Sequence, residues 1–122
     1  MPKITKELLK EWERRKGPLV FTTSDVEGNP NSIYATCVAL YGDDAVIVAD
    51  NYFDKTRSNI LKGGKRGAIL FITDEGKAYQ FKGALECHKE VPFFDEMKKC
   101  NPPKHPGHAA AVLKIEEIYA GA

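Results

Sequence analysis

The sequence is short of several things, and each shortage removes a class of protein. No apolar run approaches the roughly 20 residues that a helix needs to cross a bilayer. Runs such as Ala45-Val46-Ile47-Val48-Ala49 have the length of a strand. Net charge is almost absent: 18 basic and 17 acidic side chains leave +1. That gives neither a global basic field to recruit nucleic acid nor an acidic tail. Cysteine is scarce. Cys37, Cys87 and Cys100 are odd in number and include no C-x-x-C pair, so no disulfide framework is expected and a reducing cytoplasm fits best. The opening segment from Met1 to Glu7 has no apolar core of the kind a secretion signal carries. No internal repeat or low-complexity segment is visible. What is present, 43% apolar and 29% charged residues in 122, suits one soluble globular domain, expected to span residues 1–122.

Periodicity divides the chain. Residues 5–16 read as a helix with Ile4, Leu8, Leu9 and Trp12 on one face, ended by Gly17-Pro18. Residues 19–24 (LVFTTS) read as a strand, and Asp25 to Pro30 as a hairpin connection in which Gly28 can take positive φ. Residues 31–40 (NSIYATCVAL) read as one longer strand. One face carries Ser32, Tyr34, Thr36, Val38 and Leu40; the other carries Asn31, Ile33, Ala35, Cys37 and Ala39. The second face is small in the middle, which suits either a flat ligand lying close or tight packing under a helix. A buried strand at 45–50 follows, then a short helix from Asp54. Residues 68–73 (AILFIT) read as an apolar strand covered on both faces. Residues 78–88 read as an alternating strand with a bulge or close approach at Gly83. A helix is expected over 92–100. Residues 109–119 suit helix by propensity and strand by composition, and strand is the reading preferred. Six short strands at hairpin spacing imply antiparallel pairing and closure into a barrel. The expected fold is therefore mainly β with flanking helices, a six-stranded antiparallel barrel.

One stretch carries chemistry. Asp54 is placed to cap a helix with its carboxylate, and Lys55 and Thr56 fall in the first turn. A helix start attracts anions through its free N–H groups and dipole. A lysine and a hydroxyl there make a compact phosphate receptor, although the same residues also make an ordinary capped surface helix.

Taken in order, five features resemble the pyridoxamine 5′-phosphate oxidase-like family of FMN-binding split barrels. They are the opening helix, the Asp25–Pro30 hairpin, the 31–40 strand, the strand leading into Asp54-Lys55-Thr56-Arg57-Ser58-Asn59-Ile60, and Tyr79-Gln80-Phe81-Lys82-Gly83-Ala84-Leu85. The resemblance implies a Greek-key-like split barrel and FMN held at the interface of a homodimer. It implies that Lys55 and Thr56 hold the phosphate and that Tyr34, Ala35, Thr36 and Cys37 run beside the ring. Ala49, Asp50 and Asn51 are then expected to line the ring or ribityl chain, with Gln80 reaching in from the partner subunit. Relatives that bind a deazaflavin or haem, or no flavin, keep other occupants open. The function implied is an oxidoreductase acting on a small molecule, or a non-catalytic FMN carrier. The vitamin-making members carry paired arginines on the flavin-side strand; Tyr34 stands near one of those positions here, which argues against pyridoxamine phosphate as substrate.

No Ser/His/Asp or Cys/His arrangement is readable, so the sequence names no catalytic residue. Cys100, His105 and His108 form C-x4-H-x2-H in a proline-rich loop. A closed zinc site needs a fourth ligand and the spacing matches no finger, so no metal is expected. The loop is expected to lie over the flavin or the dimer seam, where His105 or His108 meets a substrate. The basic run Lys62-Gly63-Gly64-Lys65-Arg66 has no interleaved aromatics and reads as a solvated turn.

Overall fold

The computed structural model of the chain describes residues 4–121 except 52 and 91. Met1 to Lys3 and Tyr52, named in the sequence reading, lie outside the described residues. Helix α1 (Lys6–Glu13) starts where Thr5 accepts a hydrogen bond from the Leu8 N–H at 3.1 Å. It ends earlier than its periodicity suggests. Residues 14–16 instead join the end of a strand: Arg15 bridges Thr73, and Lys16 N–H donates to the Ile72 carbonyl. Trp12 fixes the helix to the core. It meets Phe71 edge-on at 5.3 Å and stacks on Phe81 at 6.2 Å.

Seven strands follow: β1 (Leu19–Ser24), β2 (Pro30–Ala35), β3 (Val38–Tyr41), β4 (Ala45–Asp50), β5 (Arg66–Ile72), β6 (Ala78–His88) and β7 (Ala109–Ala120). Helix α2 (Lys55–Lys62) lies between β4 and β5, and α3 (Phe93–Cys100) between β6 and β7. All pairings are antiparallel, in the order β2-β1-β5-β6-β7-β4-β3. The expected count of six strands is corrected to seven. The 31–40 segment changes partner at Thr36-Cys37: β2 pairs β1, and β3 pairs β4. Because β2 and β3 are the two edges of the sheet and only Thr36 and Cys37 separate them, the sheet must curl until its edges meet. The result is a split barrel.

Registers define its two faces. Ile33, Phe21, Ile69, Phe81 and Ile118 form a row across β2, β1, β5, β6 and β7 on the inside, with Phe21, Ile69 and Phe81 fully buried. The adjacent row, Tyr34, Val20, Leu70, Gln80 and Tyr119, faces out. The expectation that β5 is covered on both sides is corrected here: Leu70 and Ile72 are 40% and 47% exposed. At Gly83 the ladder slips, and a Cβ there would stand 1.8 Å from the Lys114 carbonyl oxygen, so only glycine fits this close approach. β7 overrides its helical propensity by pairing on both sides, with β6 and β4. Helix α3 covers the outside of β4 and β7, where Phe93 and Met97 pack on Ala45, Ile47, Ala49, Ala110 and Val112.

Candidate functional site

The exchange of partners at Thr36-Cys37 leaves a concavity of about 330 Å³ at the barrel's seam. Ile33, Tyr34, Ala35, Thr36 and Cys37 form one wall; Ala49, Asn51 and Phe53 form another; His105 closes over it. The lining holds no Asp, Glu, Lys or Arg side chain. The histidine comes from a loop with a fixed anchor. Asn51 and Asn101 exchange amide hydrogen bonds at 2.8 and 2.9 Å, and Asn51 Oδ1 also accepts from the Gly107 N–H at 2.9 Å. One side chain at the end of β4 therefore straps residues 101–107 across the pocket.

Six of the ten expected site residues line this pocket: Tyr34, Ala35, Thr36, Cys37, Ala49 and Asn51. The other four lie elsewhere. Asp50 points to the opposite side of β4, as strand alternation requires; its carboxylate takes two 2.7 Å hydrogen bonds from Arg57 Nε and Nη2. Lys55 is exposed at the start of α2, outside the lining. Thr56 is 1% exposed, with its hydroxyl capped by the Asn31 amide at 3.0 Å. Gln80 sits in the outer row, half-buried. Asp54 occupies the N-cap position of α2, but its side chain makes no capping hydrogen bond; φ −127°, ψ −85° does not aim the carboxylate at the first turn. The helix is held instead by side-chain amides, the buried Asn59 Nδ2 to Thr23 Oγ1 and the half-buried Asn31 Nδ2 to Thr56 Oγ1, both 3.0 Å.

Ile33, Phe53 and the Asn51–Asn101 strap were not read from the sequence. An aromatic between a strand end and a helix start was the only signal for Phe53; the strap joins residues 50 apart and has no local signature. Cys100, His105 and His108 do not converge. His105 lines the pocket, His108 lines a different cavity, and Cys100 donates its thiol hydrogen to the Met97 carbonyl. Among the described residues no three His, Cys, Asp or Glu side chains are grouped to hold a metal. Burial, with Cys37 nearby, pushes the Cys100 thiol above its ordinary range.

The sequence model of the pyridoxamine 5′-phosphate oxidase family matches residues 5–121. The chain belongs to the pyridoxamine 5′-phosphate oxidase family. An uncharacterized protein of Methanocaldococcus jannaschii is 32% identical over 96% of the chain and 80% of its own length. Among solved structures, HupZ of Group A Streptococcus superposes with a TM-score of 0.82 at 24% identity, covering 96% of this chain and 93% of that one. An FMN-binding protein of Syntrophomonas wolfei gives 0.80 at 23%, over 96% and 88%. The haem storage protein HutZ of Vibrio cholerae gives 0.68 at 16%, over 97% and 94%. The oxidase-family barrel is thus shared by proteins described by different ligands, and identities this low speak for the fold alone.

Proposed function

We propose that the chain is an FMN-binding flavoprotein, a homodimeric oxidoreductase acting on a small molecule, with the flavin in the Tyr34–Cys37 pocket. The observation that carries this reading is the union in one concavity of the small-residue segment, Ala49, Asn51 and Phe53, with the start of α2 close by in the chain. The residues fit the group. Ala35 and Ala49 leave room for a flat ring, the backbone of Thr36 and the second Nδ2 hydrogen of Asn51 (the first is held by Asn101) offer polar partners for its edge, and Phe53 offers an aromatic surface. Lys55 and the backbone N–H groups of the first turn are the part of the pole open to a phosphate. Thr56 supports that pole from beneath, through Asn31. FMN supplies the redox chemistry when bound; the chain binds and orients it, and the strapped 101–107 loop limits water at the pocket.

The outer row Tyr34, Val20, Leu70, Gln80, Tyr119, with 76%, 40% and 44% exposure at Tyr34, Leu70 and Tyr119, is the surface we assign to the partner subunit. Such a band suits association, and Gln80 on it would reach the ring across the seam. The uncharged lining favours one second reading, an electron-transfer protein with no substrate-gripping cluster.

The test is spectroscopic. Purified protein titrated with FMN, riboflavin, a deazaflavin and haem should quench FMN fluorescence and prefer FMN to riboflavin, and sedimentation of the FMN-loaded protein should give a dimer. A protein that takes no flavin, or only haem, would sink the reading, and a monomer with FMN bound would remove the shared site. Turnover of the loaded protein with NADH or NADPH and a panel of acceptors separates oxidoreductase from carrier.

A further inference from the structure

A second cavity lies on the other side of the β4 end. Along β4, Val46 and Val48 face the barrel interior, while Ala45, Ile47 and Ala49 face α3. Asp50 continues the interior face. It pairs in register with Ala109, and Cys87 pairs with Ala111. These side chains therefore meet at one open end of the barrel, beside Arg57 and Leu61 of α2. There they line a partly open space of about 180 Å³ together with Lys89 and His108.

Mouths of barrels are recurrent binding places, and this one carries an unusual set of groups. We propose that the barrel mouth is a second binding site, for a small oxyanion of the carboxylate or phosphate type, held by Arg57, Lys89 and His108. The charge balance selects an anion. Asp50, the wall's carboxylate, is 3% exposed and already paired at both oxygens with Arg57, whose guanidinium is 39% exposed. The pair uses Nε and Nη2, leaving Nη1 outside it. Lys89 adds a cation, and His108 adds a ring on an exposed residue. Burial, then Asp50, keeps the Cys87 thiol above its ordinary range, so it stays neutral and does not cancel this charge. The space suits phosphate or a short carboxylic acid and is too small for a flavin.

The site also touches the first pocket. The His108 N–H donates to the Asp50 carbonyl at 2.8 Å, one residue before Asn51, which straps the loop. The proposal stands whether or not the first pocket binds FMN.

The experiment is calorimetric titration of the full chain with inorganic phosphate and with malonate, against sodium chloride at matched ionic strength. Saturable binding of either is expected, and the preferred one names the class. Lys89→Ala, at an exposed position, should weaken it about tenfold, the ratio one charge-assisted hydrogen bond supports. Lys55→Ala should remove only phosphate bound at the start of α2 and leave the Lys89-sensitive binding in place, which separates the two sites. As a locating measurement, the preferred anion should slow iodoacetamide labelling of Cys87 several-fold, read by peptide mass spectrometry, without slowing Cys37. No binding above chloride would overturn the proposal. So would binding lost in Lys55→Ala but kept in Lys89→Ala, or an unprotected Cys87.

Discussion

The two cavities flanking the end of β4 are built on opposite principles. The seam pocket is wide, walled by alanines, aromatics and amides, and closed by a loop that one neutral amide pair holds. The barrel mouth is small and walled by an ion pair, a lysine, a histidine and a thiol. Consecutive residues supply both: Ala49 and Asn51 to one, Asp50 to the other. A pleated strand can separate an uncharged recognition surface from a charged one by a single residue, because successive side chains leave on opposite faces. The difference also predicts what each cavity loses on mutation. Breaking the buried ion pair at the mouth should cost more stability than breaking the neutral amide strap over the seam pocket.

The largest effect is expected at the mouth. Arg57→Ala leaves a carboxylate 2% exposed without the guanidinium that holds both its oxygens. Breaking such a pair costs on the order of 3 kcal/mol, and the guanidinium's half-exposure puts this variant at the lower end of the range. Urea unfolding should move its midpoint down accordingly. An Arg57→Ala protein as stable as the parent would mean that water already reaches Asp50.

Next comes the strap. Asn51→Ala frees the Asn101 amide and the Gly107 N–H in a half-buried setting, a loss of about 1–3 kcal/mol if they stay unpaired. A loop can find water more easily than Asp50 can, so about 1 kcal/mol is expected in unfolding. The clearer signal should be faster exchange of the 101–107 backbone amides with deuterium. Unchanged exchange there would show that the prolines, and not Asn51, hold the loop.

Lys55→Ala should separate binding from folding. Its side chain is exposed, so stability should change by less than about 0.5 kcal/mol, while FMN affinity should fall about tenfold and riboflavin affinity should not change. Equal losses for both flavins would move the phosphate pole away from α2.

The sequence made one of these cavities easier to foresee than the other. β1 and β6 were legible to their end residues, because alternation and turn residues are local signals. The division of 31–40 was not: NSIYATCVAL alternates without a break, and the exchange at Thr36-Cys37 exists only in the pairing partners. The seam pocket's walls were found because Tyr34–Cys37 and Ala49–Asn51 are strand segments next to readable turns. Sequence proximity groups Asp50 with Ala49 and Asn51 as one surface, whereas the pleat sends its side chain to the other cavity. The barrel mouth could not be read at all. It gathers side chains from β4, α2, β6 and the loop before β7, and nothing in the local pattern of any of them points to the rest.

The smallest effect is the one most specific to the mouth. The Cys87 thiol is held above its ordinary pKa by burial first and by the Asp50 carboxylate second, with Lys89 and Arg57 opposing. A raised thiol pKa means less thiolate at a given pH, hence slower alkylation. It also means that the unfolded chain releases this proton first, so the stability it contributes is present below the ordinary thiol pKa and fades as pH rises through and beyond it. Asp50→Asn removes the second cause, leaves burial in place and frees the two opposing cations to act. Cys87 labelling at pH 8 should then quicken by a few-fold, on the order of what a single nearby charge does to a half-buried group, while Cys37, on the other side of the strand, keeps its rate. If both thiols quickened together, Asp50→Asn would have loosened the whole β4 end, and the two cavities would be one cooperative unit instead of two faces of a rigid strand.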